Sequence, residues 1–378
     1  MDIHSIPSPC YVIKEALLRK NLALIKEVKE RADVEVILAL KSFALWKAFP
    51  IIREYIPFGT ASSIHEAKLV VEELGTLAHT YSPAYTEQDF SFFLKYSSHI
   101  TFNSFSQFER FYPMVVKDGN KVTCGLRINP DFSLVETTLY NPCVFGSRLG
   151  VTCDKIGNLL PEGVEGLHFH VLCESSSYDL AKLLQIVEEK FGHLFTQIKW
   201  LNMGGGHLMT RQGYDIDHLI ALLQSFKRKY PHLKIILEPG SAFTWQTGFL
   251  LTTVADIIEN NGIQTAVIDA SFSCHMPDCL EMPYKPVIRN ATDAIIGKLT
   301  YRIGGCSCLS GDYIGDWSFD KPLKIGDKLI FEDMIHYTVV KTTMFNGISH
   351  PSIGIWTVSD EFVPYRFFTY NDYKSRMC

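Results

Sequence analysis

The sequence predicts an α/β protein: a TIM-like (β/α)8 barrel followed by a C-terminal all-β domain. Eight short apolar runs alternate with amphipathic stretches over about 240 residues, the size and rhythm of such a barrel. Lysine, histidine, glycine and glutamate groups fall at the carboxyl ends of these runs. From about Trp245 helical periodicity fades, and β-branched or alternating segments separated by Gly and Pro turns take over.

Residues 7–13 form a short extended segment. Residues 14–31 follow as a helix with Leu18, Leu22 and Ile25 on one stripe and charges opposite. The run 34–40 is almost unbrokenly apolar, as expected of a strand covered on both faces. Further strands are expected near 56–61, 77–81, 99–103, 122–128, 164–171, 198–203 and 233–238. Amphipathic helices fall at 63–74, 86–97, 104–115, 178–191 and 216–230. A doubly wound open sheet alternates in the same way, so the count alone does not settle closure. These residues set a barrel domain at 14–244 and a β domain at 245–378, with 1–13 joining the latter. Strands in the β domain are expected at 249–258, 264–270, 298–303, 328–332 and 336–343.

In such a barrel the chemistry sits where strands end. Lys41 follows the first strand, His168 and His170 close the sixth, Gly204-Gly205-Gly206 follows the seventh, and Glu238-Pro239-Gly240 closes the eighth. A lysine leaving a buried strand is either a solvated loop residue or an amine desolvated enough to form a Schiff base. Three glycines let backbone N–H groups converge on an anion. A carboxylate such as Glu238 can keep a pyridine nitrogen protonated, and an imidazole can stack on that ring. Singly, each has a bland reading: a flexible turn, a turn string, a core histidine. Together they are the parts of a pyridoxal phosphate site. In the β domain, Gly305-Cys306-Ser307-Cys308-Leu309-Ser310-Gly311-Asp312 places two cysteines at i, i+2. No second Cys/His pair has zinc-site spacing, so no metal is expected. A cysteine and an aspartate on such a turn can instead supply a proton donor and an amine-binding carboxylate.

At these residues the chain resembles the fold-type III pyridoxal phosphate decarboxylases, the alanine racemase/ornithine decarboxylase-like fold shared by ornithine, arginine and diaminopimelate decarboxylases. Within them it is most similar to the carboxynorspermidine/carboxyspermidine decarboxylases. The carriers are Leu40-Lys41-Ser42, His170-Val171, the Gly204–Gly206 run, Glu238-Pro239-Gly240, the Gly305 to Asp312 string, Ala61-Ser62-Ser63-Ile64-His65-Glu66, Trp245-Gln246-Thr247-Gly248-Phe249-Leu250, and the stretch from Cys274-His275-Met276-Pro277-Asp278 to Pro283-Tyr284. The resemblance implies a pyridoxal 5'-phosphate enzyme of polyamine biosynthesis. Lys41 and Cys308 are then catalytic, and Lys41, His170, Gly204, Gly205, Gly206, Glu238 and Tyr337 bind the coenzyme. Glu238, His275, Asp278 and Asp312 bind substrate, with Glu281 a further carboxylate for its cationic tail. It also implies a homodimer in which the partner subunit's cysteine loop completes each site. Two departures stand out. Ser241 follows Glu-Pro-Gly where the family usually has arginine, and Leu172-Cys173-Glu174 replaces a usual Gly-Ser. The second disfavours ornithine or diaminopimelate as substrate.

Diaminopimelate decarboxylase remains an alternative enzyme, and a non-catalytic pyridoxal phosphate-binding protein an alternative from another class. A net charge of −5 without a basic block argues against nucleic acid as a partner. Met1-Asp2-Ile3-His4 shows no signal-peptide pattern, and no apolar run reaches the ~18 residues of a membrane span. A cytoplasmic protein with reduced thiols is therefore expected.

Overall fold

A computed structural model describes residues 2–119 and 121–378. The chain divides into two compact units: Asn21–Phe243, and the first twenty residues together with Thr244–Cys378. The helix Glu15–Ala32 carries the chain from one to the other.

The first unit is a parallel sheet running Glu35–Val36, Lys234–Leu237, Trp200–Asn202, Val164–His168, Thr123–Asn129, Ser97–Phe102, Ala78–Tyr81, Gly59–Ala61 and Leu38–Ala39. Its two ends are halves of one strand, interrupted at Ile37. Ile37 N–H donates to Leu237 O at 2.9 Å, and Leu38 N–H to Phe58 O at 2.9 Å. A strand that pairs on both sides closes the ring, so the sheet is a barrel and not an open doubly wound sheet. Inside it, the Trp200 indole lies over two glycines on neighbouring strands. A Cβ at Gly125 would come within 2.2 Å of that ring and one at Gly166 within 2.0 Å. Trp200 Nε1 donates to Thr123 Oγ1 at 3.0 Å, satisfying the indole's one polar atom.

The helices start where short polar residues can accept their first free amides. Ser63 caps Ile64–Leu69, Thr86 caps Glu87–Tyr96, Ser104 caps Phe105–Lys117 and Asp215 caps Ile216–Lys229. Ser176 and Asp179 form a reciprocal capping box on Ser177–Phe191. Between strands and helices, Tyr85, Phe90, Phe93, Phe102 and Phe111 pack mostly edge to face. Each such buried ring contributes about 2 kcal/mol. Two details differ from the periodicity. The 63–74 helix passes into a π-helical turn at Val70–Leu74, which ends at left-handed Gly75. Between Thr123–Asn129 and Val164–His168 the described residues form only short turns and the strand Val151–Thr152, not a helix.

The second unit is built on the 13-residue strand Gly248–Asn260. Its first half pairs antiparallel with Cys10–Lys14 and Lys328–Glu332, and its second half with Ile263–Ile268. Leu299–Gly304, Tyr313–Phe319 and Ala291–Asp293 extend the sheet one way, Ser352–Trp356 and Phe362–Arg366 the other. Cys10 and Val12 alternate inward to join Ile6, Phe249, Leu251 and Ile330 in one core cluster. The β-branched run expected as a strand at 336–343 is instead a 3-10 turn, Thr338–Val340. Its preceding residue, Tyr337, takes φ +50°, a left-handed value incompatible with extended pairing. Among the described residues no helix is long and apolar enough to cross a membrane.

Candidate active site

The carboxyl ends of the barrel strands bring Lys41, His168, His170, Asn202, Gly204, Gly205 and Glu238 together. Lys41 Nζ lies 3.1 Å from His170 Nε2. The protein packed round the amine lowers its pKa. Glu238 opposes that shift, Arg127 reinforces it, and Cys173 and Glu66 oppose it more weakly. Burial, then the charges of Lys41 and Arg127, hold His170 well below an ordinary histidine. The other ring nitrogen, Nδ1, accepts the Gly205 N–H at 3.0 Å. A neutral imidazole accepting at Nδ1 carries its proton on Nε2, the atom that faces Lys41.

Glu238 ends the eighth strand and is buried. Its Oε1 accepts from Asn202 Nδ2 at 2.7 Å, and its Oε2 lies 3.6 Å from His168 Nε2. Burial alone would raise its pKa. His168, Asn202 and His79 override burial and hold it at about 2, so Glu238 stays a carboxylate. His168 is itself buried, and neither of its ring nitrogens has a hydrogen-bond partner among the described residues.

Two of the three glycine amides are already committed. Gly204 N–H donates to Asn202 Oδ1 at 2.9 Å, and Gly205 N–H goes to His170. The loop is nonetheless a place only glycine fits: a Cβ at Gly205 would lie 2.2 Å from Glu238 O, and one at Gly206 2.1 Å from Leu172 O. Nitrogen and carboxylate atoms of His168, His170 and Glu238 lie within 4.8 Å of one another. Such a trio has the makeup of a metal site. The lysine amine beside it, the glycine turn and the orphaned His168 nitrogens next to a fixed carboxylate fit a phosphorylated pyridine aldehyde better.

Sequence reasoning missed Asn202 and Arg127. The Arg127 guanidinium donates to His170 O at 3.1 Å and lies 4.7 Å over the Tyr81 ring. A charged residue inside an otherwise apolar barrel strand was the available signal.

The remaining predicted residues lie in the sheet unit. Asp312 accepts from Ser271 Oγ at 3.1 Å, Ser273 N–H at 3.0 Å and Ser307 N–H at 3.1 Å, so its carboxylate ties the 305–312 turn to the 271–273 turn. His275 has 0% exposure, accepts Ser271 N–H on Nδ1 at 3.1 Å, and is pushed by burial down to about 4. In the folded chain the His275 ring offers no open surface. Asp278 is buried, which raises its pKa. Its Oδ2 accepts from Thr338 Oγ1 at 2.8 Å and Tyr284 OH at 3.1 Å, and its Oδ1 has no partner among the described residues. Cys308 is exposed, and its N–H donates to Asn346 Oδ1 at 2.9 Å. Tyr337 is half-buried, its ring 6.3 Å from that of His336. Glu281 pairs with Lys341.

Residues 10–335 match the family described as "Pyridoxal-dependent decarboxylase, C-terminal sheet domain". The chain belongs to this family. As a pyridoxal-dependent decarboxylase it is a carboxy-lyase. It is 51% identical over 375 residues, 99% of this chain and 96% of the relative, to carboxyaminopropylagmatine decarboxylase of Synechocystis sp.. It is 43% identical over 387 residues, covering both chains completely, to carboxynorspermidine/carboxyspermidine decarboxylase of Campylobacter jejuni. The crystal structure of carboxynorspermidine decarboxylase complexed with norspermidine, also from Campylobacter jejuni, superimposes with a TM-score of 0.90. That match has 41% identity and covers 98% of this chain and 100% of the other.

Proposed function

We propose that this pyridoxal-dependent decarboxylase releases CO2 from the amino-acid end of carboxynorspermidine or carboxyspermidine, giving norspermidine or spermidine in the cytoplasm. The observation that carries the reading is the Lys41–His170–Glu238 cluster in a chain that matches a carboxynorspermidine/carboxyspermidine decarboxylase along its whole length.

When bound, pyridoxal phosphate supplies the electron sink for the pair released with CO2. Lys41, kept toward its neutral form, is the amine that holds the coenzyme's aldehyde carbon. Glu238, held as a carboxylate, keeps a proton on the ring nitrogen through the oxygen that Asn202 leaves open. His170 offers a flat face, and the Gly204–Gly206 turn and Tyr337 receive the phosphate. Cys308 Sγ, entering from the partner subunit of a homodimer, delivers a proton to the carbon that lost CO2. Asp278, Asp312 and Glu281 supply negative charge for the polyamine tail.

A second reading has its own support. The 51% identical relative acts on carboxyaminopropylagmatine, whose name implies a guanidinium tail in place of a terminal amine. The two readings share the carboxylated aminopropyl end and differ in the group that the tail carboxylates hold. Steady-state CO2 release from purified carboxynorspermidine, carboxyspermidine, carboxyaminopropylagmatine and diaminopimelate decides between them. The highest kcat/KM is expected on a carboxylated triamine. A clear preference for the guanidinium substrate would select the second reading, and turnover of diaminopimelate alone would overturn both. Pyridoxal phosphate binding with no CO2 release from any of the four would favour a carrier.

A further inference from the structure

We propose that Asn202 is a positioning residue that ties the carboxylate for the coenzyme's ring nitrogen to the glycine turn for its phosphate, so that one amide sets both ends of the cofactor site. The proposal rests on the coenzyme-binding part of the reading above, and not on the identity of the substrate.

Asn202 is the last residue of the strand Trp200–Asn202 and only 3% exposed. A strand buried on both faces ordinarily ends in an aliphatic residue, and a primary amide there must find partners for its donors and acceptor. Asn202 finds two, one at each functional group. Oδ1 takes the Gly204 N–H at 2.9 Å and Nδ2 gives a proton to Glu238 Oε1 at 2.7 Å. The Gly204 donor fixes which end of the amide is oxygen, and so leaves the nitrogen facing Glu238. With Oε1 engaged, the carboxylate cannot spin, and Oε2, the oxygen beside His168, is left for a ring N–H. The main chains are tied in the same place, since Glu238 N–H donates to Gly204 O at 2.7 Å. A shift of the left-handed Gly204 (φ +69°) is therefore passed to the Glu238 side chain through Asn202.

The two halves of the amide separate by substitution. Full-length protein stripped of coenzyme is titrated calorimetrically with pyridoxal and with pyridoxal 5'-phosphate. Pyridoxal affinity reads the ring end, and the ratio of the two affinities reads the phosphate end. Asn202→Asp keeps an oxygen for Gly204 but replaces the donor to Glu238 with a second negative charge. Pyridoxal should bind at least about tenfold more weakly at pH 8, the size of one hydrogen bond to a charged group. The loss should shrink at lower pH, where the carboxyl pair takes up a proton. The phosphate ratio should stay within about twofold of wild type. Asn202→Ala should lower both readings, and Glu238→Gln the pyridoxal affinity alone. Wild-type affinities for both probes in Asn202→Asp and Asn202→Ala, with only the melting temperature lowered, would overturn the proposal. Unchanged pyridoxal affinity in Glu238→Gln would overturn it together with the ring-nitrogen role of Glu238. Substrate preference is a separate measurement and stands or falls on its own.

Discussion

The barrel mouth and the 305–312 turn of the sheet unit carry equally polar motifs, yet they use their polar atoms in opposite ways. At the barrel mouth, partners hold one side of each group and leave the other turned toward the site. His170 is held at Nδ1, and Glu238 at Oε1. In the sheet unit the carboxylates mostly face inward: Asp312 spends both oxygens on three donors, and Asp278 holds Thr338 and Tyr284. A motif shared with a family therefore mixes groups kept for ligands with groups that hold the turn presenting them. Hydrogen-bond accounting separates the two.

The sharpest break of this contrast is Lys41→Ala. Turnover should vanish while the melting temperature stays close to wild type, because the side chain stands at a strand end outside the hydrophobic core. Borohydride reduction of the wild-type holoenzyme followed by peptide mapping should place the pyridoxyl group on Lys41. A label on any other lysine would sink the assignment of the site.

Next in size is Cys308→Ala. If its thiol delivers the proton, kcat should fall roughly 10²- to 10⁴-fold, the usual worth of a positioned acid. Cys306→Ala should stay near wild type, since the register of the Gly305 to Asp312 string places Cys308, and not Cys306, at the family's cysteine. Mixing the inactive Lys41→Ala and Cys308→Ala subunits should restore activity, as one site per mixed dimer receives both intact residues. Confirmed subunit exchange without recovery would remove the shared-site reading and leave the decarboxylase intact.

Much of this was legible in the chain. Continuous apolar runs marked the parallel strands, and Ser63, Thr86, Ser104, Ser176 and Asp215 stand where the helices begin. Lys41, His170, the glycines and Glu238 fell at strand ends because a barrel turns all its carboxyl ends to one mouth. Apart from Arg127, what was not legible has no local signature. Ring closure depends on the break at Ile37, and the role of Asn202 depends on two partners that lie two and 36 residues along the chain. The strands Tyr313–Phe319, Ser352–Trp356 and Phe362–Arg366 went unread because much of their surface is only half-buried, which blurs the alternation. The 336–343 segment misled because β-branched residues suit a strand until one residue, Tyr337, turns left-handed.

A smaller effect sits at the opposite, amino-terminal end of the barrel. His79 and His99 stack there with centroids 3.7 Å apart, beside a cavity of about 290 Å³ lined also by Phe58, Ser98 and Lys234. Burial pushes His79 down to about 4 and His99 to about 2. Histidines that are neutral when folded and ordinary when unfolded make the unfolded chain bind more protons. Stability should therefore be complete above about pH 6.5 and fall as the pH drops toward 4, by about 3 kcal/mol for His79 alone. Urea midpoints measured across this range should show the fall in wild type and a flatter profile in His79→Gln. Parallel profiles would mean that His79 is protonated in the folded barrel.

The smallest expected effect tests the sheet side of the contrast. Asp312→Ala removes the acceptor of Ser271 Oγ–H, Ser273 N–H and Ser307 N–H, leaving buried donors unmet. The cost should be about 2 kcal/mol of stability, with faster hydrogen exchange at the Ser273 and Ser307 amides. Asp312→Asn should fall between, because it keeps one oxygen and turns an amide nitrogen toward an N–H donor. Pyridoxal phosphate affinity should not change in either variant, since the three donors that Asp312 accepts all come from turns of the sheet unit. Substrate KM divides the two roles. If Asp312→Ala melts like wild type while KM for the carboxylated triamine rises tenfold or more, the residue holds substrate as the resemblance implies. In that case its three hydrogen bonds are incidental to the turn. A lowered urea midpoint with KM nearly unchanged would instead make Asp312 the residue that keeps Cys308 in place, a supporting role that its full complement of donors already describes.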